Sequence, residues 1–364
     1  MAANNRIYYA SQAVQLLPTN SDISSNYADW IVPQGLQSVG MTTNFNLEQV
    51  FQLGQLELYD NLEGVPEVEV TLNKVLDGTP PLYLICTNGT ATYGFASGKE
   101  IATLVNNRVH FRLGIWPDSV TAASGAPAHT VTCSGMYLSR FSYTIPVDGN
   151  ATEEITLVGN NKVWGSGSTM TVNEFTPTAS GSSPTAPSIM RRYSFDVTTV
   201  LPTGTAGIPI PSGRTTQRPY VQNITISADL GREAINELGS FAPYFRYVNF
   251  PLEVTSEFEV TASDGDKVDA NDFSTTSGCS STFNNLVNKE IKVILCGSGT
   301  NKLTLDLGKK NKLTSVNYTG GDTGGGNASI TYSFQTFNKF VMTSAGTFNE
   351  VAWIDNTADT TNYN

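Results

Sequence analysis

Glu67-Val68-Glu69-Val70-Thr71-Leu72 alternates without a break. In an extended chain Glu67, Glu69 and Thr71 fall on one side and Val68, Val70 and Leu72 on the other, the pattern of a strand with one wet and one buried face. The scheme returns as Glu257-Phe258-Glu259-Val260-Thr261. Working outward, Leu53-Gly54, Tyr59 and Pro66 lead into the first strand. Leu238-Gly239, Tyr244 and Pro251 lead towards the second with the same gaps, and Glu48 and Glu233 precede the two Leu-Gly pairs by equal distances. The offset is 185 residues in a chain of 364. Solenoid units run about 20–50 residues. A period this long is read instead as a duplicated domain.

The likeness extends both ways. Tyr9 and Leu17-Pro18 answer to Tyr193 and Leu201-Pro202. Val39, Met41 and Phe45 answer to Ile224, Ile226 and Leu230, and Leu138 to Tyr143 resembles Leu313 to Tyr318. Asn150-Ala151 and Asn327-Ala328 then lead into a further β-like run in each half. Gly165 to Ser188 is rich in Gly, Ser, Thr and Pro with little to bury, the composition of a linker. The expected division is a first domain over 1–166, a linker over 167–188, and a second domain over 189–364. The second would end in a polar C-terminal arm from about Gly346, which Trp353 could anchor.

Only 15% of residues are charged, 39% are hydrophobic, and 32 Gly and 17 Pro punctuate the chain. That composition reads as many short strands joined by turns, so the expected class is mainly β. Further strands are expected over Ile7 to Leu17, Tyr193 to Leu201, Leu82 to Cys86, Val109 to Ile115, Tyr137 to Pro146, Glu154 to Val158, Ile291 to Cys296, Lys302 to Leu307, Lys312 to Tyr318 and Ser329 to Phe337. Asp77-Gly78 and Asp264-Gly265 are expected to supply turns of the hairpin type. Each half is also expected to carry one short flanking α-helix. In the second half Asp229 would cap it, Leu230, Ala234, Ile235 and Leu238 would form its apolar face, and Gly239 would stop it. Asn44, Phe45, Val50, Leu53 and Gly54 would do so in the first. On this reading Leu53, Gly54, Pro66, Leu238, Gly239 and Pro251 belong to the repeated domain core.

Net charge is −11. A protein that grips nucleic acid by its phosphates carries a basic surface, so any passage of DNA past this one would be non-adhesive. Cys86, Cys133, Cys279 and Cys296 form no CxxC pair and do not align between the halves, as expected of reduced structural cysteines made in a cytosol. The opening residues show no apolar leader, and no run of about 18 apolar residues is present to span a membrane.

Catalytic signatures are wanting. His110 alternates with apolar neighbours and reads as structural, and His129 lies among small residues. There is no Walker loop, no G-x-S-x-G and no H-E-x-x-H. Asp264 to Asp272 is dense in carboxylates but misses the EF-hand pattern, and reads as a solvated acidic turn. Gly320 to Gly326 reads as a hairpin loop. No enzyme activity, cofactor or metal is expected. The feature with functional content is the pair of acidic strand faces. Glu67, Glu69, Glu257 and Glu259 are candidates to line a space that must repel phosphate backbones.

Taken together, Gly231-Arg232-Glu233, Leu238-Gly239, Pro243-Tyr244-Phe245-Arg246 and Phe250 to Thr255 resemble part of the tail tube (major tail) proteins of long-tailed bacteriophages. Phe45 to Leu72 resembles a degenerate copy in which Leu47 stands in place of the Arg. The resemblance implies two tandem β-sandwich or barrel domains whose inner strands join across neighbours into one barrel around a channel. Six such domains make a ring, so a two-domain chain would close as a trimer with pseudo-sixfold symmetry. It implies a place in the virion tail after assembly in the host cytoplasm. Its partners would be further copies in stacked rings, the tape measure, terminator and tail-tip proteins, and DNA in transit. The competing expectation is a β-sandwich adhesin, receptor-binding or capsid decoration protein. A glycan hydrolase would need a carboxylate pair across a cleft.

Overall fold

The computed structural model describes residues 7–21, 30–89, 98–117, 126–166, 170, 189–196, 198–211, 218–263, 265–270, 286–297, 302–321, 326–345 and 354–355. The class is mainly β, as expected. In the first half come β1 (Gln12–Pro18), β2 (Trp30–Ile31), β3 (Leu36–Asn44), β4 (Glu48–Phe51), β5 (Leu58–Leu62) and β6 (Glu67–Val75). Two short helices follow, α1 (Leu82–Thr87) and α2 (Ile101–Leu104), then β7 (Arg108–Ile115), β8 (His129–Pro146), β9 (Thr152–Gly159) and β10 (Val163–Ser166). The second half has β11 (Val221–Asp229), β12 (Arg232–Ile235), β13 (Phe245–Val248), β14 (Glu253–Thr261), β15 (Lys289–Cys296), β16 (Lys302–Thr319), β17 (Ser329–Phe337), β18 (Val341–Ala345) and β19 (Ile354–Asp355).

The pairing order is the same in both halves. β3–β6–β9–β8 in the first corresponds to β11–β14–β17–β16 in the second, antiparallel throughout. β8 and β16 each run 18 residues. Their first parts pair with β7 and β10, or with β15 and β18; their second parts pair with β9 or β17. Each breaks register at the same place, between Leu138 and Arg140 and between Leu313 and Ser315. A bulge adds twist and lets one strand serve two sheets. Irregularities at Val109/Phe111 and Lys289/Ile291 also correspond. The halves are joined through backbone: β8 pairs with β11 from Pro146↔Asn223 to Arg140↔Asp229. Eight strands therefore form one arc, β3–β6–β9–β8–β11–β14–β17–β16.

Alternation builds the core. Val68, Val70 and Leu72 are buried from β6, and Val254, Phe258 and Val260 from β14. One contiguous cluster spans both halves. Phe340, from the β17–β18 turn, packs into the first half against Tyr83, Phe141 and Tyr143, with ring centroids 4.9–6.1 Å away. Offset and edge-on aromatic contacts of this kind add to simple burial.

Several expectations are overturned. The flanking helices expected around Asn44 to Gly54 and Asp229 to Gly239 are β-hairpins, β4–β5 and β12–β13. A helix of about ten residues is marginal without a face to pack on. Here each segment has a partner strand a few residues on. Asp229 does accept a bond from the Gly231 amide, at 3.0 Å, and Asn44 accepts one from the Asn46 amide, at 3.1 Å. These are Asx turns, with Gly231 and Asn46 at positive φ, and they launch hairpins rather than capping helices. Leu53 and Leu238 are not core. Both lie at hairpin tips, fully exposed, beside Gly54 and Gly239 at φ +90° and +92°. Pro66 is half-buried, its carbonyl accepting from Asn160 Nδ2, and Pro251 is exposed. The segment Leu82 to Cys86 is not a strand but α1, opened by Pro81. Lys302–Thr319 is one strand, not two. In the run expected over Ile7 to Leu17, Tyr9–Ser11 is a 3₁₀ turn and the strand begins at Gln12. The Tyr193 to Leu201 run is a 3₁₀ turn, Arg192–Ser194, followed by isolated bridges at Phe195 and Val200. The expected linker, apart from buried Met170, and Trp353 lie outside the described residues.

Candidate functional site

Residues opposite one another in a ladder share a face. On the side of the eight-strand arc turned away from the core, Glu69 stands across from Thr42 and Thr225 across from Glu257. The same face carries Asn223 across from Glu259, which in turn faces Thr331. It is a surface of hydroxyls, amides and carboxylates. Glu67, Glu69, Glu154, Asp229, Glu253, Glu257 and Glu259 lie on it, against Arg140 and Lys312. All four glutamates singled out from sequence thus share one face. Glu257 is exposed and the other three are half-buried. Glu67 is partly neutralised, because Arg246 Nη2 donates to its Oε2 at 3.0 Å. Glu154, Asp229 and Glu253 are not assigned to this face from sequence, where Asp229 reads as a helix cap. Glu154 and Asp229 stand outside the quoted alternations, and only the ladder registers place all three on this face.

The arc has two open ends. Among the described residues β3 pairs only with β6, and the 312–319 part of β16 pairs only with β17. Their counterparts, β11 and the 140–146 part of β8, are paired on both sides, because they pair with each other. The chain therefore contains one finished junction and both halves of a second. An unpaired strand edge is a template for another chain.

The hairpins repeat the asymmetry. The root of β12–β13 is fixed onto the first half. Arg232 Nε and Nη2 donate to the Leu138 and Val105 carbonyls, and its guanidinium stacks 4.9 Å from the Tyr137 ring. Burial lowers the Arg232 pKa to about 9. Arg246 also reaches Asn160 Oδ1 at 3.1 Å, and Phe245 meets Tyr137 edge-on at 5.2 Å. Among the described residues the β4–β5 hairpin has no such cover. Phe45, Leu47, Phe51, Leu58, Tyr59 and Leu62 are all exposed.

The buried polar groups are structural. Glu153 is fully buried and accepts from Leu82 N at 2.6 Å, Tyr83 N at 2.9 Å and Tyr143 Oη at 2.5 Å, which ties α1 to the sheet. Desolvation raises its pKa, against those donors and Lys74. Lys74 is itself paired with buried Asp77 at 2.9 Å. His110 is buried, takes the Gly135 amide on Nδ1 and meets the Ser21 carbonyl through Nε2, each at 3.0 Å. His129 opens β8 and is exposed. Burial raises the Cys133 thiol to about 12. Asp264 and Asp272 lie outside the described residues, while Asp266 caps its own turn through the Val268 amide. Asp77-Gly78 turns the chain, with Gly78 at φ +79°, but it leads from β6 into α1 and is not the hairpin turn expected. Residues 322–325 also lie outside the described residues, in the connection from β16 to β17. Among the described residues no group of three or more His, Cys, Asp or Glu could hold a metal, and no helix is long and apolar enough to cross a membrane.

The geometry offers surfaces: a wide polar face with an acidic excess, bounded by two complementary strand edges. No protein-family model matches the chain, and no curated protein matches its sequence.

Proposed function

We propose that this chain is the repeating subunit of a hollow protein tube, a bacteriophage tail tube whose acidic lumen conducts DNA. The observation that carries it is the in-chain junction of β8 with β11, together with the two open edges that match it. Copying that junction between chains sets a definite register. Tyr318 falls opposite Met41, Asn317 opposite Thr42, and Ser315 opposite Asn44. The contact is head-to-tail, and such contacts close into rings when the rotation permits.

Three copies of the eight-strand arc would close about 24 strands, and 16–18-stranded barrels already leave an aqueous channel. At about 4.8 Å per strand the backbone diameter is roughly 40 Å or more, wide enough for duplex DNA. The lumen would be the polar face, where Glu69, Glu257 and Glu259 keep phosphates from adhering. Three chains of two units each give the ring its pseudo-sixfold form, and stacked rings give the tube. Tape measure, terminator and tail-tip proteins would meet it at its axis and ends. No chemistry is asked of the protein in this role.

Electron microscopy of the purified protein and of virions tests the reading. The expected result is rings or stacked tubes with threefold class averages and a clear channel. A monodisperse monomer at every concentration and salt, with glycan or host-cell binding at a particle tip, would instead establish an adhesin.

A further inference from the structure

We infer that the exposed β4–β5 hairpin seats on the second half of an adjacent copy of this chain, with Asp60 against Lys312. This rests on the ring reading above and adds a side-chain contact to it.

The two hairpins are equivalent from their bases as far as Val50↔Asp60 and Ile235↔Phe245, beyond which β4–β5 has a bulge. Glu233↔Tyr247 and Ala234↔Arg246 in one ladder correspond to Glu48↔Leu62 and Gln49↔Asn61 in the other. Asp60 then takes the place of Phe245, Asn61 that of Arg246, and Leu47 that of Arg232. The platform is equivalent too. Shared register and the shared bulge match Tyr137 with Lys312, Glu67 with Glu253, and Asn160 with the residue after Thr336, Phe337.

In the finished junction Phe245 lies edge-on to Tyr137, and Arg246 bonds Glu67 and Asn160. Transposed, Asp60 meets Lys312, Asn61 meets Glu253 and Phe337, and Leu47 lies along the Lys312 stem. The exchange at the centre is complementary in charge, with Lys312, which in the single chain donates to the Leu286 carbonyl at 2.8 Å, supplying the cation. An aromatic pair becomes an ion pair, and an arginine opposite a glutamate and an amide becomes an amide opposite a glutamate and a phenylalanine. Every one of these residues is exposed in the single chain, Leu47 at 56% and Phe337 at 49%.

A hairpin cannot reach its own platform. β3 and β16 sit at opposite ends of the arc, roughly 34 Å apart at about 4.8 Å per strand. The occupant is therefore a second copy.

The test is a charge exchange scored by ring assembly of the full chain. Asp60→Lys and Lys312→Asp alone are each expected to raise the protein concentration for half-assembly by about tenfold, and the double variant to restore it. As a second measurement, Asp60→Cys with Lys312→Cys, in a chain with Cys279→Ser and Cys296→Ser, is treated with a short bismaleimide. Covalent dimers and trimers are expected, with none from either single cysteine. If the charge variants assemble like the wild type, or rings of the double-cysteine chain stay uncrosslinked, the hairpin contact is wrong while the ring reading stands. If the wild-type chain forms no rings, both fall.

Discussion

The Tyr143 hydroxyl donates to the buried Glu153 carboxylate at 2.5 Å, and the equivalent pair in the second half is Tyr318 and Ile330. One copy of the domain spends a buried acid where the other has a hydrocarbon. The reason is local: Glu153 also receives the first two amides of α1, so it anchors the helix that covers the core. Glu153→Ala leaves three buried donors without a partner. It is expected to destabilise the folded chain by about 3–5 kcal/mol, read by chemical denaturation.

The same residue sets a pH dependence. Its folded pKa is raised above the unfolded carboxyl value of about 4.3. Folding therefore takes up a proton in the window between those two values, and the stability from this group falls as pH rises through it. The contribution is complete below the unfolded value and lost above the folded one. Glu153→Gln removes the titration, so the stability difference between wild type and variant should narrow steadily as pH rises across that window. Denaturation midpoints measured from acid to neutral pH check the sign; a difference that widens with rising pH contradicts it.

Arg246 and Glu67 hold the second half's hairpin to the first half's sheet. The guanidinium is nearly buried while the carboxylate is 39% exposed, so solvent screens the pair and the larger loss on truncation is the packing and the bond to Asn160. Arg246→Ala is expected to cost about 1–3 kcal/mol and to expose Tyr137, read as greater accessibility of residues 137–160 to hydrogen exchange. Unchanged exchange there would show that the hairpin is held by other contacts.

How much of this was legible in the sequence depended on the length of the pattern. Alternation at Glu67 to Leu72 and Glu257 to Thr261 placed both central strands and put the named glutamates on one face. The repeat was visible because turns are spelled locally. Leu53-Gly54 and Leu238-Gly239 recur because both hairpins turn there at positive φ. The role of those leucines was not legible. Apolar residues at 230, 234, 235 and 238 satisfy a helical spacing, and short runs do not distinguish a helix from the arm of a hairpin. Nor could spacing reveal Glu153, whose partners lie about seventy residues away on α1 as well as ten away on β8. The open edges are a property of topology and have no sequence signature.

Those edges give a prediction that needs no substitution. In isolated chains the outward amides of β3 and of 315–319 have no ladder partner and should exchange with solvent rapidly. Those of β11 and 140–146 should be protected, since they already pair. On assembly the first pair of segments should become as slow as the second, and the rest of the arc should change little. Protection that appears elsewhere while β3 stays open would mean that the chains associate by a different surface.

The acidic face makes the last prediction. Its charge works against adhesion only if it faces the nucleic acid, so reversing it should convert a passive surface into a binding one. Glu69→Lys, Glu257→Lys and Glu259→Lys together change the charge of each chain by six units. All three sit on strands whose opposite faces carry the core, so the core side chains are left in place. Assembled variant rings are expected to retain duplex DNA at low salt and to release it as salt rises, each neutralised phosphate adding to the slope of log affinity against log salt. Wild-type rings should show no retention. The same three reversals on monomers should bind far more weakly, because a single arc presents only its own cations to the duplex. Equal retention by monomers and rings would place this face on the outside of the assembly rather than around its channel.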